Sequence, residues 1–374
     1  MEFSKEEVLQ LLKQLVSTPS PSGKEAELVD RVESWLQSWG WEVKRIPTPE
    51  SGDSLVAHYI FGDGPRFMLL GHLDTVEPVS GWDTDPYNLM IDGDLAYGLG
   101  ALDMKGGLAA MLTVAKYIAE LRARQGGVWL ILTTDEERYS RGADAIVRTR
   151  ILTEIRGGIC AEPTDMKLVL GRRGRVVFRI EVEGRSAHAT TPSKGVNAIA
   201  EAARVILDLE EYAGEVARRG GSLCVLSVSS YSPYLSVPDR CVLRVDRHLG
   251  VEESRAVAIE EFRRRIAKFR KRVLIRVMVE DRPTPYMDAY RVDPSNPVVK
   301  AVVYAARQVL GRAPRRIIGE SVADENYFVV RAGIPIVTLG PMGGNAHAAN
   351  EYVHVPSLVA CARIYYLALE KLLA

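Results

Sequence analysis

Five short segments carry side chains that could hold metal ions. Gly71-His72-Leu73-Asp74 follows the apolar run MLL, and Thr133-Thr134-Asp135-Glu136-Glu137 follows WLIL. Ala161-Glu162-Pro163 follows GIC, and His347 lies in a Gly-rich loop after PIVTL. Asp103 stands just before the helical segment that opens at Lys105. Imidazole and carboxylate are both zinc ligands, and a catalytic zinc keeps one position open for water. His72, Asp103, Glu137, Glu162 and His347 are too many ligands for one such site. They suit two divalent ions that share a carboxylate, polarise a carbonyl and activate a water. Such chemistry also needs a base to take the water's proton. The adjacent pair Glu136-Glu137 can supply a ligand and a base from one loop.

Each residue has a plainer explanation when taken alone. His72 could be a hydrogen-bonded loop histidine. The Glu pair could be a solvated surface. Asp103 could simply cap the helix that follows it. What favours the metal site is coincidence of position, since the groups recur just after apolar strands.

The elements that must position these residues are readable from hydrophobic period. Segments 67–70, 128–132 and 158–161 read as short buried strands, and 25–39 and 105–121 as helices. Their alternation predicts an α/β domain with a largely parallel sheet. Ligands of open α/β sheets bind outside the carboxyl ends of the strands, so all five positions gather on one sheet edge. The texture changes near Gly171. Strand 176–183, helix 196–212, strands 223–229 and 241–245, helix 252–269 and strand 273–279 follow in turn. That order, β-α-β-β-α-β, describes a ferredoxin-like unit. After the Pro-rich stretch 282–286, helix 296–310, strand 334–339 and helix 356–373 resume the first texture. The expected organisation is a catalytic domain over 1–175 and 285–374, interrupted by an inserted domain over 176–284.

Composition narrows the function classes. The chain has 374 residues, 47% of them hydrophobic, enough for a sizeable core. The 48 Lys and Arg residues balance 48 Asp and Glu, which argues against a nucleic-acid or acidic-membrane partner. Cys160, Cys224, Cys241 and Cys361 form no CxxC pair, so neither a zinc ribbon nor a disulfide framework is expected. The N-terminal segment is an amphipathic helix rather than a signal peptide. No apolar run reaches membrane-spanning length, and a cytoplasmic protein is expected.

The motifs GHLDTV (71–76), YGLGALDMKGG (97–107), TTDEE (133–137), AEPT (161–164), GRSAHA (184–189), VPDRC (237–241) and NAHAANEYV (345–353) resemble a known family, as does STPSPSGKE (17–25). It is the metallopeptidase family of succinyl-diaminopimelate desuccinylase, acetylornithine deacetylase, aminoacylase and carboxypeptidase G. The likeness spans nearly the whole chain, in the right order. It implies a zinc-peptidase-type domain with a mixed, mostly parallel sheet, and an inserted ferredoxin-like lid or dimerisation domain. A homodimer is therefore expected.

The resemblance also implies roles. His72, Asp103 and Glu162 would hold one zinc, and Asp103, Glu137 and His347 the other, with cobalt or manganese able to substitute. Glu136 would be the general base and then the proton donor to the leaving amine. Asp74 would orient His72. The Asp103–Met104 peptide would be cis. His188 of the inserted domain would stabilise the oxyanion in the partner's site. Arg247 would clamp a substrate carboxylate, and Arg173, beside Arg172, matches desuccinylases. The chain departs from the pattern at two positions. Leu235 stands where many members carry Asn, and Asn326 where bacterial desuccinylases carry Arg.

The expected activity is hydrolysis of the amide of an N-acyl amino acid by a two-metal enzyme. Exopeptidase action on short peptides is the alternative. A carrier-protein-linked substrate, which would require an acidic protein partner, is a third option. A non-catalytic member should have lost a ligand or the base, and none is missing. A two-zinc aminopeptidase without a lid is disfavoured by the insertion.

Overall fold

The computed structural model describes all residues except Arg124 and Pro233. The chain forms two units by compactness. The first comprises Met1–Gly171, Arg291–Ile318 and Ala323–Ala374; the second comprises Arg172–Tyr290 with Gly319–Val322. The second unit is thus an insertion, a few residues wider at each end than 176–284.

The first unit opens with α1 (Lys5–Val16) and α2 (Ala26–Ser38). Ser4 and Glu7 form a capping box at the start of α1, and Val8, Leu11, Leu12, Leu15 and Val16 make its buried stripe. Then come β1 (Glu42–Ile46), β2 (Ser54–Ile60), β3 (Arg66–His72), β4 (Met90–Asp92), β5 (Leu95–Tyr97), α3 (Lys105–Lys116), β6 (Gly127–Thr133), α4 (Arg141–Arg148), β7 (Ile155–Cys160) and β8 (Leu168–Arg172). Helix α3 is shorter than its apolar run, because the chain tightens at Tyr117 into a 3-10 turn over Ile118–Glu120.

The second unit contains β9 (Gly174–Glu183), α5 (Ala198–Arg218), β10 (Ser222–Ser230), β11 (Arg240–Leu249), α6 (Arg255–Ala267) and β12 (Leu274–Val279). Its antiparallel sheet runs β10-β11-β9-β12, the strand order of a ferredoxin-like unit. Val176, Phe178, Ile180 and Val182, on one face of β9, pack with Val205, Leu209, Phe262 and Ile266 of the helices. The Phe178 and Phe262 rings stack with centroids 3.9 Å apart. The opposite face is an ion-pair lattice that includes Arg179–Glu181 and Arg244–Glu280. Helix α5 begins after Asn197, whose side chain caps the N–H groups of Ile199 and Ala200. It runs past Gly214 to Arg218, since Val216 continues the buried stripe of Leu209 and Tyr212.

The chain returns to the first unit through β13 (Tyr290–Arg291), α7 (Pro297–Leu310), β14 (Arg316–Gly319), α8 (Glu325–Ala332), β15 (Ile336–Thr338), β16 (Gly343–Gly344), β17 (Tyr352–His354) and α9 (Val355–Leu373). Among the described residues the main sheet is mixed, in the order β1-β2-β6-β3-β7-β15-β8-β13, with β14 on β8. Its centre, β6-β3-β7-β15, is parallel. Strands β2 and β8 join that centre antiparallel. Every residue of β6 is buried, as expected of a strand covered on both faces. Strands β1 and β2 were not read from the sequence; β1 is a polar edge strand with little apolar period. No helix among the described residues is long and apolar enough to cross a membrane.

Candidate active site

The four central strands end together, and their register explains the cluster beyond them. Leu70 of β3 is paired with Cys160 of β7, and Cys160 with Thr338 of β15. His72 and Glu162 each lie two residues beyond Leu70 and Cys160, so they come level. His72 of β3 pairs with Thr133 of β6, which brings Glu136 and Glu137 to the same edge. His347 lies further on, in the turn between β16 and β17. Asp103 approaches from the N-terminal end of α3, whose close passage requires glycine: a Cβ at Gly107 would strike the Ala161 carbonyl.

Asp103 is not a helix cap. The cap position is Met104, with no side-chain capping bond, and the Asp103–Met104 peptide is cis. The Asp103 carboxylate lies between the two histidines. Its Oδ1 is 3.4 Å from His72 Nε2, and its Oδ2 is 3.5 Å from His347 Nε2. Glu162 Oε1 is 3.3 Å from His72 Nε2, and Glu137 Oε2 is 3.0 Å from His347 Nε2. Ligand atoms of His72, Asp103 and Glu137 lie within 4.8 Å of one another, as do those of His72, Glu136 and Glu162.

Three buried carboxylates hold the loops that carry these groups. Asp74 accepts the backbone N–H of Glu136 and of Glu137, each at 3.1 Å, and the Ser22 hydroxyl at 2.7 Å. Glu25 accepts the N–H of Gly23 and Gly52, the Ser51 hydroxyl and, at 3.3 Å, the N–H of Asp135. Glu351 accepts the N–H of Gly100, Leu102 and Asp103. Sequence reasoning missed Glu25 and Glu351, because an acid in a loop carries no local sign that it will be buried.

The electrostatics show what the cluster can hold. His72 Nδ1 lies 3.0 Å from the Asp74 carbonyl, which only accepts, so Nδ1 carries a proton. Its Nε2 is buried without a hydrogen-bond partner among the described residues, yet faces two carboxylate oxygens. Burial opposes protonation there, but Asp103, Asp74 and Glu162 outweigh it and hold His72 well above its ordinary value. Asp103 and Glu137 push His347 up to about 10. Burial opposes ionisation of Asp103, but His347 and His72 keep it well below the usual carboxylate range. Four carboxylates thus converge on two imidazoles, and both imidazoles collect positive charge. Divalent cations in place of those protons would satisfy the same oxygens and nitrogens, so the residues fit a metal centre.

Glu136 differs from its neighbour. Burial first, then the nearby Glu162, Asp324 and Glu137 carboxylates, raise it well above the ordinary glutamate value against the pull of His72. A carboxylate with raised proton affinity suits a base that must take a proton from water near neutral pH. Asp324, a buried acid outside the sequence reading, is pushed up to about 7 by burial.

The remaining expected site residues have local partners. His188 is exposed in the second unit, and its Nδ1 accepts the Thr190 N–H at 3.2 Å, leaving Nε2 as the protonated nitrogen. Leu235 lies beside it, its carbonyl accepting the Ala189 N–H at 3.0 Å. Arg173 Nε donates to the Gly220 carbonyl, and Arg172 Nη1 to Ser321 Oγ. Arg247 is 1% exposed; Nη2 meets Glu253 at 2.6 Å and Nη1 donates to the His248 carbonyl. Asn326 is buried in α8 of the first unit, where its Oδ1 accepts the Ala323 N–H.

Residues 68–371 match Peptidase family M20/M25/M40. The chain is 29% identical to the uncharacterised protein YgeY of Escherichia coli (strain K12), over 96% of this chain and 93% of that protein. It is 28% identical to succinyl-diaminopimelate desuccinylase of Wolinella succinogenes, over 98% and 100%. A tripeptidase from Staphylococcus aureus shares the fold with a TM-score of 0.83 at 23% identity, over 100% and 99% of the two chains. So does a dinuclear metal-binding M20 peptidase, YXEP of Bacillus subtilis, with a TM-score of 0.75 at 16% identity, over 99% and 98%. The chain belongs to Peptidase family M20/M25/M40, and it is a metal-dependent hydrolase acting on amide bonds.

Proposed function

We propose that this enzyme cleaves the amide of a small N-acyl amino acid, releasing a carboxylate and a free amino acid. The observation that carries the reading is the position of Asp103, with one oxygen toward His72 and the other toward His347. In this reading His72, Asp103 and Glu162 hold one metal ion, and Asp103, Glu137 and His347 a second. The mixed nitrogen and oxygen donors favour zinc, with cobalt or manganese able to replace it. Bound there, the ions supply Lewis acidity to the substrate carbonyl and lower the pKa of water. Glu136 takes the proton from the attacking water and returns it to the departing amine. In a dimer, His188 of one copy would donate its Nε2 proton to the oxyanion developing in the other copy's site.

Of the three positions suggested for substrate, Arg247 and Asn326 are buried whereas Arg173 is partly exposed, so we propose Arg173 for the substrate carboxylate. The full-length likeness to a desuccinylase supports an acyl amino acid. Two copies would join through the second unit, where among the described residues β10 pairs only with β11 and exposes Leu226 and Val228. The free cysteines suit the cytoplasm as its location.

The test is amine release by the metal-replete protein from matched N-acetyl and N-succinyl amino acids, dipeptides and tripeptides. Preference for an N-acyl amino acid is expected. Cleavage of peptides alone would replace this reading with an exopeptidase.

A further inference from the structure

Glu351 lies four residues beyond His347, and its carboxylate is aimed at backbone N–H groups of the Gly100–Asp103 segment. It is 1% exposed. Oε2 accepts the Gly100 N–H at 2.8 Å, and Oε1 accepts those of Leu102 at 2.9 Å and Asp103 at 2.8 Å. Its backbone carbonyl accepts the Gly98 N–H at 3.0 Å, and the next residue, Tyr352, pairs with Tyr97 across β17 and β5. The whole loop from Gly98 to Asp103 therefore hangs from residues 351 and 352.

We propose that Glu351 is a positioning residue that sets where Asp103 stands between His72 and His347. The loop leaves three N–H groups pointing at one spot, and buried donors without acceptors are strongly disfavoured. Only a carboxylate offers acceptors at both oxygens. Glutamine would turn an amide NH2 toward one of the donors. The loop has little slack, since Gly100 sits at φ +72 and a Cβ there would lie 2.6 Å from Thr75 Cγ2. Asp103 reaches its two imidazoles in opposite directions, so a shift of its backbone lengthens at least one of the contacts. Glu351 thus couples the His347 segment to the Asp103 segment through a group that touches neither imidazole.

The inference rests on reading Asp103 as the ligand shared by two metal ions. The test uses the full-length protein, cobalt titration followed by visible absorption, and amide exchange over residues 98–105. Wild type should bind two cobalt equivalents and protect the amides of Gly100, Leu102 and Asp103. Glu351→Gln should bind cobalt at least about tenfold more weakly, with a changed d–d spectrum and faster exchange in that loop, and Glu351→Asp should recover part of both. A folded Glu351→Gln protein with the wild-type spectrum and affinity overturns the proposal. If Glu351→Gln does not fold, wild-type amides at 100, 102 and 103 that exchange as fast as an exposed loop overturn it instead. Failure of the wild type to take up two equivalents would sink the two-metal reading. The exchange data would still judge the hold of Glu351 on the loop.

Discussion

The Asp74 carboxylate accepts the backbone N–H of Glu136 through Oδ1 at 3.1 Å. The same carboxylate accepts the N–H of Glu137 and lies 3.5 Å from His72 Nδ1. One acid therefore sets the imidazole of β3 and the acidic loop of β6 against each other. Burial opposes its ionisation, but His72, Ser22 and the Glu137 N–H keep it below its ordinary value. Asp74→Asn retains the shape but presents NH2 to one of these donors. A loss of about 10–100-fold in metal affinity or kcat is expected, with the far-ultraviolet circular dichroism unchanged. Wild-type values for both would refute the role.

Glu136→Gln removes the proposed proton acceptor and leaves the proposed ligands intact. The rate constant should fall by about 10²–10⁴-fold while metal content stays at the wild-type level. Elemental analysis beside steady-state kinetics checks both halves. Retention of full activity with metal bound would exclude Glu136 as the base.

Metal uptake should release protons. His347 is raised to about 10, so it is protonated at neutral pH in the metal-free protein and must lose that proton to bind a cation. Apparent affinity should therefore rise with pH toward 10. Calorimetric titrations in buffers of different ionisation enthalpy would count the protons, and a count of zero would contradict the prediction.

The stability of the metal-free protein should fall as pH rises from about 4.5 to 7. Burial raises Glu351 and Asp324 to about 7, so the folded state holds protons that the unfolded state has already lost. Their contribution is fully present below the unfolded carboxylate value and is lost through pH 7. Above pH 7 two groups oppose each other. Stability from His347 declines, whereas Lys105, lowered to about 7 by burial, favours folding as pH rises. A Tm series on chelated protein should be higher at pH 5 than at pH 7; the reverse order would be inconsistent with these shifts.

Arg247 and Arg173 should separate in kind. Arg247→Ala strands the largely buried Glu253 carboxylate, whose side chain is 12% exposed, and should cost about 3 kcal/mol of stability. Arg173→Ala should leave the Tm near wild type and raise KM by roughly ten- to a hundredfold, the worth of a charged hydrogen bond. Denaturant unfolding and Michaelis kinetics on both variants decide it, and a KM effect confined to Arg247→Ala would reverse the assignment.

Much of the fold was written in local pattern. The apolar runs that became β3, β6 and β7, and the alternation of β9, reflect burial periods that a window of residues can hold. Most of the candidate site residues were visible for the same reason, since they follow those runs directly. Asp103 was ambiguous in sequence, because a residue before a helix is usually explained as a cap. Only the tertiary structure turned its two oxygens toward His72 at the end of β3 and His347 in a distant loop. The partners of Arg247 and the loop-holding acids Glu25 and Glu351 were likewise decided by folding. By itself the sequence determined which side chains stand at the ends of the strands, because strand and helix periods are short-range. Which acids are buried against which N–H groups depends on loops brought together across as many as 251 residues, as between Glu351 and Gly100, and only the assembled sheet supplies that.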